Sequence, residues 1–172
     1  MPRKNTCVEK SNGIKGEAES AHLATLKKLR VVIRAAQRHS AWIEKQCGVS
    51  GAQLWIMQEL QETPGLRIGG LVHRLAVHQT TASNLVDELV KRGLVLKSRD
   101  PEDQRAVQLA LSENGTALLR DAPKPARGVL PEALKQLDAE QLAQLDQGLQ
   151  GLLDSIGLLD EGYGLQPFAF TV

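Results

Sequence analysis

Residues 94–111 read LVLKSRDPEDQRAVQLAL, and their period decides the fold. Leu94 and Leu96 alternate with their neighbours before a charged tip, and Val107, Leu109 and Leu111 alternate after it. The Asp100-Pro101 pair marks the turn, because Asp binds backbone amides just beyond it and Pro presets φ. The spacing predicts a β-hairpin whose tip region carries Lys97, Arg99 and Arg105. On either side of it the apolar period is 3.6, the period of helices.

Immediately upstream, QTTASNLVDELVKRG (79–93) puts Ala82, Leu85, Val86, Leu89 and Val90 on one helical face, with Gly93 as its stop. A turn at 76–78 separates it from a short helix, roughly Ile68 to Leu75. Gly69 and Gly70 each lower helix propensity there by about 1 kcal/mol relative to Ala, so packing must hold that helix. Before it, Ser50 is positioned to cap SGAQLWIMQELQET, which ends ahead of Pro64 and Gly65. From about Ser20 to Gln46, Leu23, Leu26, Leu29, Ile33, Ala36 and Ile43 form a narrow apolar stripe, stopped by Gly48. A helix of that length with so narrow a stripe predicts packing against a second chain.

Downstream, Ser112 opens another helix, and Pro123 and Pro125 predict a break. A helical stretch follows at 130–137. Asp138 and Gln141 resemble a capping box for a last helix bearing Leu142, Leu145, Leu149, Leu152 and Ile156, leucines that need a partner surface. Five divisions follow: a flexible arm at 1–18, an N-terminal dimerisation helix at 19–48, a reading head at 49–120, C-terminal dimerisation helices at 121–157 and a tail at 158–172. The tail is too rich in Gly and Pro for helix, yet carries three of the five aromatic residues. The fold class is mainly α with a small β-hairpin wing.

Composition narrows the function. The chain has 172 residues with 42% hydrophobic and 24% charged side chains, ordinary values for a folded protein. The net charge of +1 divides unevenly: 10 basic against 6 acidic residues in 1–63, 7 against 5 in 64–111, and 4 against 9 in 112–172. A basic front and acidic rear suit a polyanion on one face. Two cysteines, Cys7 and Cys47, make no disulfide framework, and no apolar run suggests export or a membrane span, so the expected location is the cytoplasm. Neither a Ser-His-Asp set, nor paired carboxylates, nor a phosphate-binding glycine loop stands at useful spacing, so an enzyme is not expected. His22, His39, His73 and His78 lack the clustering of a zinc site, and no metal or cofactor is expected.

Helix, short helix, turn, helix and charged hairpin is the order of a winged helix-turn-helix. The first turns of a helix entering the major groove must offer short polar side chains that reach base edges, and Gln79, Thr80, Thr81, Ser83 and Asn84 supply them. Lys97, Arg99 and Arg105 then face the sugar-phosphate backbone or the minor groove, with Asp103 positioned to orient Arg105. The plainer alternatives are a solvent-facing helix start and surface ion pairs.

The segment KSRDPEDQRAVQLALSENGTALL (97–119) resembles the wing and following helix of MarR-type transcriptional regulators. The pattern is Arg99, the Asp100-Pro101 turn, Asp103-x-Arg105, an alternating strand through Leu109 and Leu111, then Ser112 and Gly115. LVDELVKRGLV (85–95) and AQLWIMQEL (52–60) resemble the neighbouring parts, and the likeness spans roughly residues 26–156. Arg67 stands where the family commonly has a Ser or Thr cap, and the family's hydroperoxide-sensing cysteine is replaced by Leu26 and Leu29. The resemblance implies a homodimer clasped by its first and last helices, double-stranded DNA as partner, and a small-molecule effector, probed most simply with aromatic or phenolic compounds. It implies a repressor released from a pseudo-palindromic operator. Trp42, Leu54, Trp55 and Met57 offer apolar walls for such a ligand, with core or dimer packing as the alternative use. The competing function is a winged-helix protein-interaction module that does not read DNA.

Overall fold

A computed structural model describes residues 6–99, 106–157 and 161–172, with side chains from residue 20 onward except that of residue 161. Helix α1 runs Thr6–Cys47. It begins well before the expected start near residue 20, because nothing between 6 and 20 is a proline and glycines at 13 and 16 only weaken a helix. Within residues 1–36, Leu23, Leu26, Val31, Val32 and Ile33 are all exposed.

The second compact unit, residues 37–172, holds the remaining elements. After Gly48 at φ +64, α2 spans Gly51–Glu62 behind the cap expected at Ser50. The Ser50 hydroxyl accepts from Gln53 N at 3.2 Å, and the Gln53 side chain answers Ser50 N at 3.0 Å, which serves amides no helical carbonyl can reach. Helix α3 (Ile68–Leu75) ends on Ala76 in the left-handed region, and α4 follows at Gln79–Lys91 with Gly93 at φ +68 beyond its end. Strand β1 (Val95–Arg99) pairs antiparallel with β2 (Val107–Leu111), Lys97 opposite Leu109 and Arg99 opposite Val107. The Asp100-Pro101 turn lies outside the described residues.

The hairpin's inward face differs from the expected alternation. Leu94 and Val95 are both buried, whereas Leu96 is 55% exposed. Leu94 precedes the strand and is held by its own N–H to Leu89 O at 3.0 Å, so the pleat starts at Val95 and turns Leu96 outward. Leu66 adds a further bridge to the other edge of β2: its carbonyl accepts from Leu109 N at 3.0 Å, while Gly65 N donates to Leu109 O at 2.9 Å.

Ser112 caps α5 (Glu113–Asp121), the prolines break the chain at 122–128, and α6 (Val129–Gln136) follows. Helix α7 (Ala139–Ile156) opens on the expected capping box, Asp138 and Gln141. The tail enters a short 3-10 turn, Glu161–Leu165. The core gathers Leu54, Ile56, Met57 and Leu60 of α2, Leu71 of α3, Val86 and Leu89 of α4, Val95 and Leu109 of the wing and Leu119 of α5. Each large aliphatic side chain buried there contributes about 1.5–3 kcal/mol. None of the apolar residues of α7 is buried: Leu142, Leu145, Leu149, Leu152, Leu153 and Ile156 are all exposed.

Candidate nucleic-acid interface

Helix α4 is divided along its length. Ala82, Leu85, Val86 and Leu89 are buried and anchor it, while Gln79, Thr80 and Asn84 are exposed and Thr81 and Ser83 are half-buried. The alternation of anchoring and polar positions at helical spacing presents the amide and hydroxyl groups on one side. At the other end, Arg92 donates to Gly48 O at 2.6 Å, and Gln53 donates to Glu88 at 2.7 Å, so α4 is clamped to α2 and to the chain just before it.

In the wing, Lys97 and Arg99 are exposed on β1. Lys97 meets Asp87 of α4 at 2.5 Å, and this hydrogen bond, with the ammonium charge behind it, holds the Asp87 carboxyl below its ordinary range. The pair ties the strand to the helix at a solvent-open position, where an ion pair is easily exchanged for another anion. Asp103 and Arg105 lie outside the described residues.

The four residues expected to offer ligand walls are placed differently from one another. Leu54 and Met57 are fully buried in the core. Trp42 is 48% exposed and meets His39 edge to face at 5.8 Å. Trp55 is partly buried, its indole N–H donating to Glu59 at 2.9 Å. Cys47 is half-buried, and burial pushes its thiol up, which weakens it as a nucleophile.

That glutamate is the centre of a cluster the sequence reading did not single out. Glu59, 5% exposed, accepts from Arg127 at 2.7 Å, from Arg74 at 3.0 Å and from Trp55. Arg127 also pairs with Glu62. Burial alone raises the Glu59 carboxyl, but the hydrogen bonds from Arg127, Arg74 and Trp55 outweigh it and hold the group low. The cluster joins α2, α3 and the 122–128 break. The one signal for it in the sequence is a glutamate on the buried face of α2, between Ile56 and Leu60. Beside it, an open groove of about 670 Å3 is lined by Gln58, Lys124, Arg127 and Glu132, among others. Among the described residues no group of three His, Cys, Asp or Glu side chains is placed to hold a metal ion, and no helix is long and apolar enough to cross a membrane.

Three packed helices followed by an antiparallel ribbon, with a polar face on the third helix, define a winged helix-turn-helix protein. The family model described as MarR family matches residues 49–107, from the residue before the α2 cap into β2. The repressor NicR of Pseudomonas putida is 32% identical over 126 residues, covering 71% of this chain and 79% of NicR. The chain belongs to the MarR family. The transcriptional repressor MprA of Escherichia coli is 31% identical over 104 residues, and the aligned stretch spans 59% of MprA. Among solved structures, the PcaV regulator of Streptomyces coelicolor, determined with its natural ligand, matches with a TM-score of 0.50 at 25% identity, covering 73% of this chain and 91% of that one.

Proposed function

We propose that this chain is a sequence-specific DNA-binding transcriptional regulator that works as a homodimer. The observation that carries the reading is α4, whose exposed Gln79, Thr80 and Asn84 stand over a buried anchor of Ala82, Leu85, Val86 and Leu89. Side chains of this length and polarity match base edges in the major groove. Thr81 and Ser83 belong to the same contact set. Lys97, Arg99 and Arg105 hold the flanking backbone or minor groove, and Asp103 orients Arg105. Lys97 is released to a phosphate when its exposed pair with Asp87 opens. The names of NicR and MprA as transcriptional repressors favour repression over activation.

Homodimer formation is supported by apolar side chains that the single chain leaves in solvent, on α1 from Leu23 to Ile33 and on α7 from Leu142 to Ile156. Stripes of this kind need a second surface. Two reading heads then meet half-sites about 10 bp apart on a pseudo-palindrome. Release by a small aromatic or phenolic ligand is the finer part of the proposal, and PcaV's complex with its natural ligand supports, by analogy, the presence of a ligand. The open groove lined by Arg127, which donates to Glu59, is the place proposed for such a ligand. A ligand shifts the heads only as far as its affinities for the two arrangements differ.

The test is a selection of genomic fragments by purified protein, with and without a panel of aromatic acids and phenols. Enrichment of one inverted repeat supports the reading, and loss of that enrichment with one compound supports ligand release. If nothing is enriched at low salt while the protein is folded and dimeric, the interaction-module reading replaces it. Binding to the selected site should weaken steeply with salt, in proportion to the phosphates contacted. Arg105→Ala is expected to weaken binding about tenfold or more without altering the dimer. Unchanged affinity in that variant removes the wing from the mechanism.

A further inference from the structure

The tail is seated at three places, two on the reading head and one on the end of α1 that precedes it. His78 N, at the start of α4, donates to Leu165 O at 3.1 Å. The Ser40 hydroxyl of α1 donates to Phe170 O at 2.5 Å, and Ala52 N, in the first turn of α2, donates to Thr171 O at 2.8 Å. Ala52 N is one of the amides that no carbonyl within α2 can serve, so the tail supplies what the helix itself cannot. At Gly51 a Cβ would stand 3.1 Å from Ser40 Oγ, a tight contact, and 3.8 Å from Thr171, so α1, α2 and the tail converge closely there. The tail is ordered on itself as well. Thr171 binds Phe168 O through both its amide and its hydroxyl, and the rings of Phe168 and Phe170 stack at 5.1 Å.

The first of these contacts falls where DNA would have to come. His78 is the residue before Gln79 and Thr80, and the N-terminal turn of a recognition helix is the part that meets base edges and whose amides donate to phosphate oxygens. A carbonyl already on the His78 amide occupies that approach. Tyr163 and Phe168, on either side of Leu165, are 64% and 57% exposed, so the seat has little buried apolar area and can open.

We propose that residues 161–172 form a strap docked on the starts of α2 and α4, and that it competes with duplex DNA for the reading head. The inference rests on the DNA-binding reading above. A strap seated about 80–90% of the time lowers apparent affinity about five- to tenfold, because only the open fraction binds.

The test compares the full chain with one ending at residue 160 for binding to a labelled 30-bp random-sequence duplex at low salt. The shortened chain is expected to bind about five- to tenfold tighter, and a peptide of residues 161–172 added to it is expected to reverse the gain. Because shortening can impair folding, full-length Gly51→Val, whose side chain crowds Ser40 and Thr171, serves as a second variant and is expected to bind tighter as well. Hydrogen exchange at the Ala52 and His78 amides, protected in the full chain, should accelerate in both. Equal or weaker binding by the folded variants overturns the strap while leaving DNA binding intact. Fast exchange at both amides in the full chain shows that the tail is not seated and also overturns it. Absence of binding by every form overturns the DNA reading, and the strap's role with it.

Discussion

Gly115→Ala is expected to destabilise the chain by about 3–5 kcal/mol and to lower Tm by roughly 10 °C or more. A Cβ built on Gly115 would lie 2.1 Å from Leu94 O and 3.0 Å from Leu94 C. Both are backbone atoms, so no rotamer change relieves the overlap. Leu94 cannot give way cheaply. Its carbonyl accepts from Ser112 N at 3.0 Å, its amide donates to Leu89 O at 3.0 Å, and its side chain is buried. Moving it therefore separates the end of α4, the start of β1 and the cap of α5 together. Ser112 reinforces the junction by accepting from Gly115 N at 3.0 Å and donating to Gly93 O at 2.7 Å. The Ser-x-x-Gly spacing is thus a packing device: the serine caps, and the glycine lets the first turn of α5 rest on the backbone of residue 94. Thermal unfolding followed by circular dichroism checks this, and a Tm within about 2 °C of the parent would refute it. Ser112→Ala, which removes both hydroxyl contacts but introduces no clash, should cost less, about 1–2 kcal/mol.

Loss of the Glu59 carboxylate should come next in size. Glu59→Ala leaves Arg127, with a side chain only 15% exposed, with Glu62 as its one remaining carboxylate, and leaves the Trp55 N–H without its acceptor. Removing one member of a buried charged cluster costs about 3–5 kcal/mol. Since Arg74 is 38% exposed and water can replace part of its pairing, about 2–3 kcal/mol is expected here. The acid response gives a second readout. Glu59 and Glu62 are both held below the ordinary glutamate range in the folded chain, Glu62 chiefly by Arg127. Their stabilisation is therefore fully present above the unfolded pKa of about 4.3 and is lost as pH falls through their lower folded values. Denaturant unfolding of the parent should weaken on acidification below about pH 4.5, and Glu59→Gln should show a smaller loss over that interval. An identical pH profile for the two would exclude Glu59 from the acid response.

The wing and the helix before it were legible because their signals are local. The period change after Gly93, the caps at Ser50, Ser112 and Asp138, and the glycine stops at 48 and 93 each depend on a few neighbouring residues, and each appears in the structure. The polar run from Gln79 to Asn84 was legible for the same reason. Its division into exposed Gln79, Thr80 and Asn84 and half-buried Thr81 and Ser83 needed the helix to be set against its neighbours. Leu96 points outward although its spacing from Leu94 suggested an inward pair, because Leu94 belongs to the turn and not to the pleat. Leu54 and Met57 fit a pocket wall or, more commonly for such residues, core or dimer packing in one dimension, and both are core.

Sequence alone determined the order of elements, the identity of the anchoring and polar faces of α4, and the hairpin with its basic flanks. These follow from side-chain period and backbone preference, which act within a few residues. Only the tertiary structure decided that Glu59 gathers arginines from residues 74 and 127, that the carbonyl of Leu94 comes to rest on Gly115, and that the tail returns to Ser40, Ala52 and His78. Those contacts join residues as far as 130 positions apart. They form where packing brings unsatisfied amides and charges within hydrogen-bond reach, and no local pattern of residues encodes that proximity.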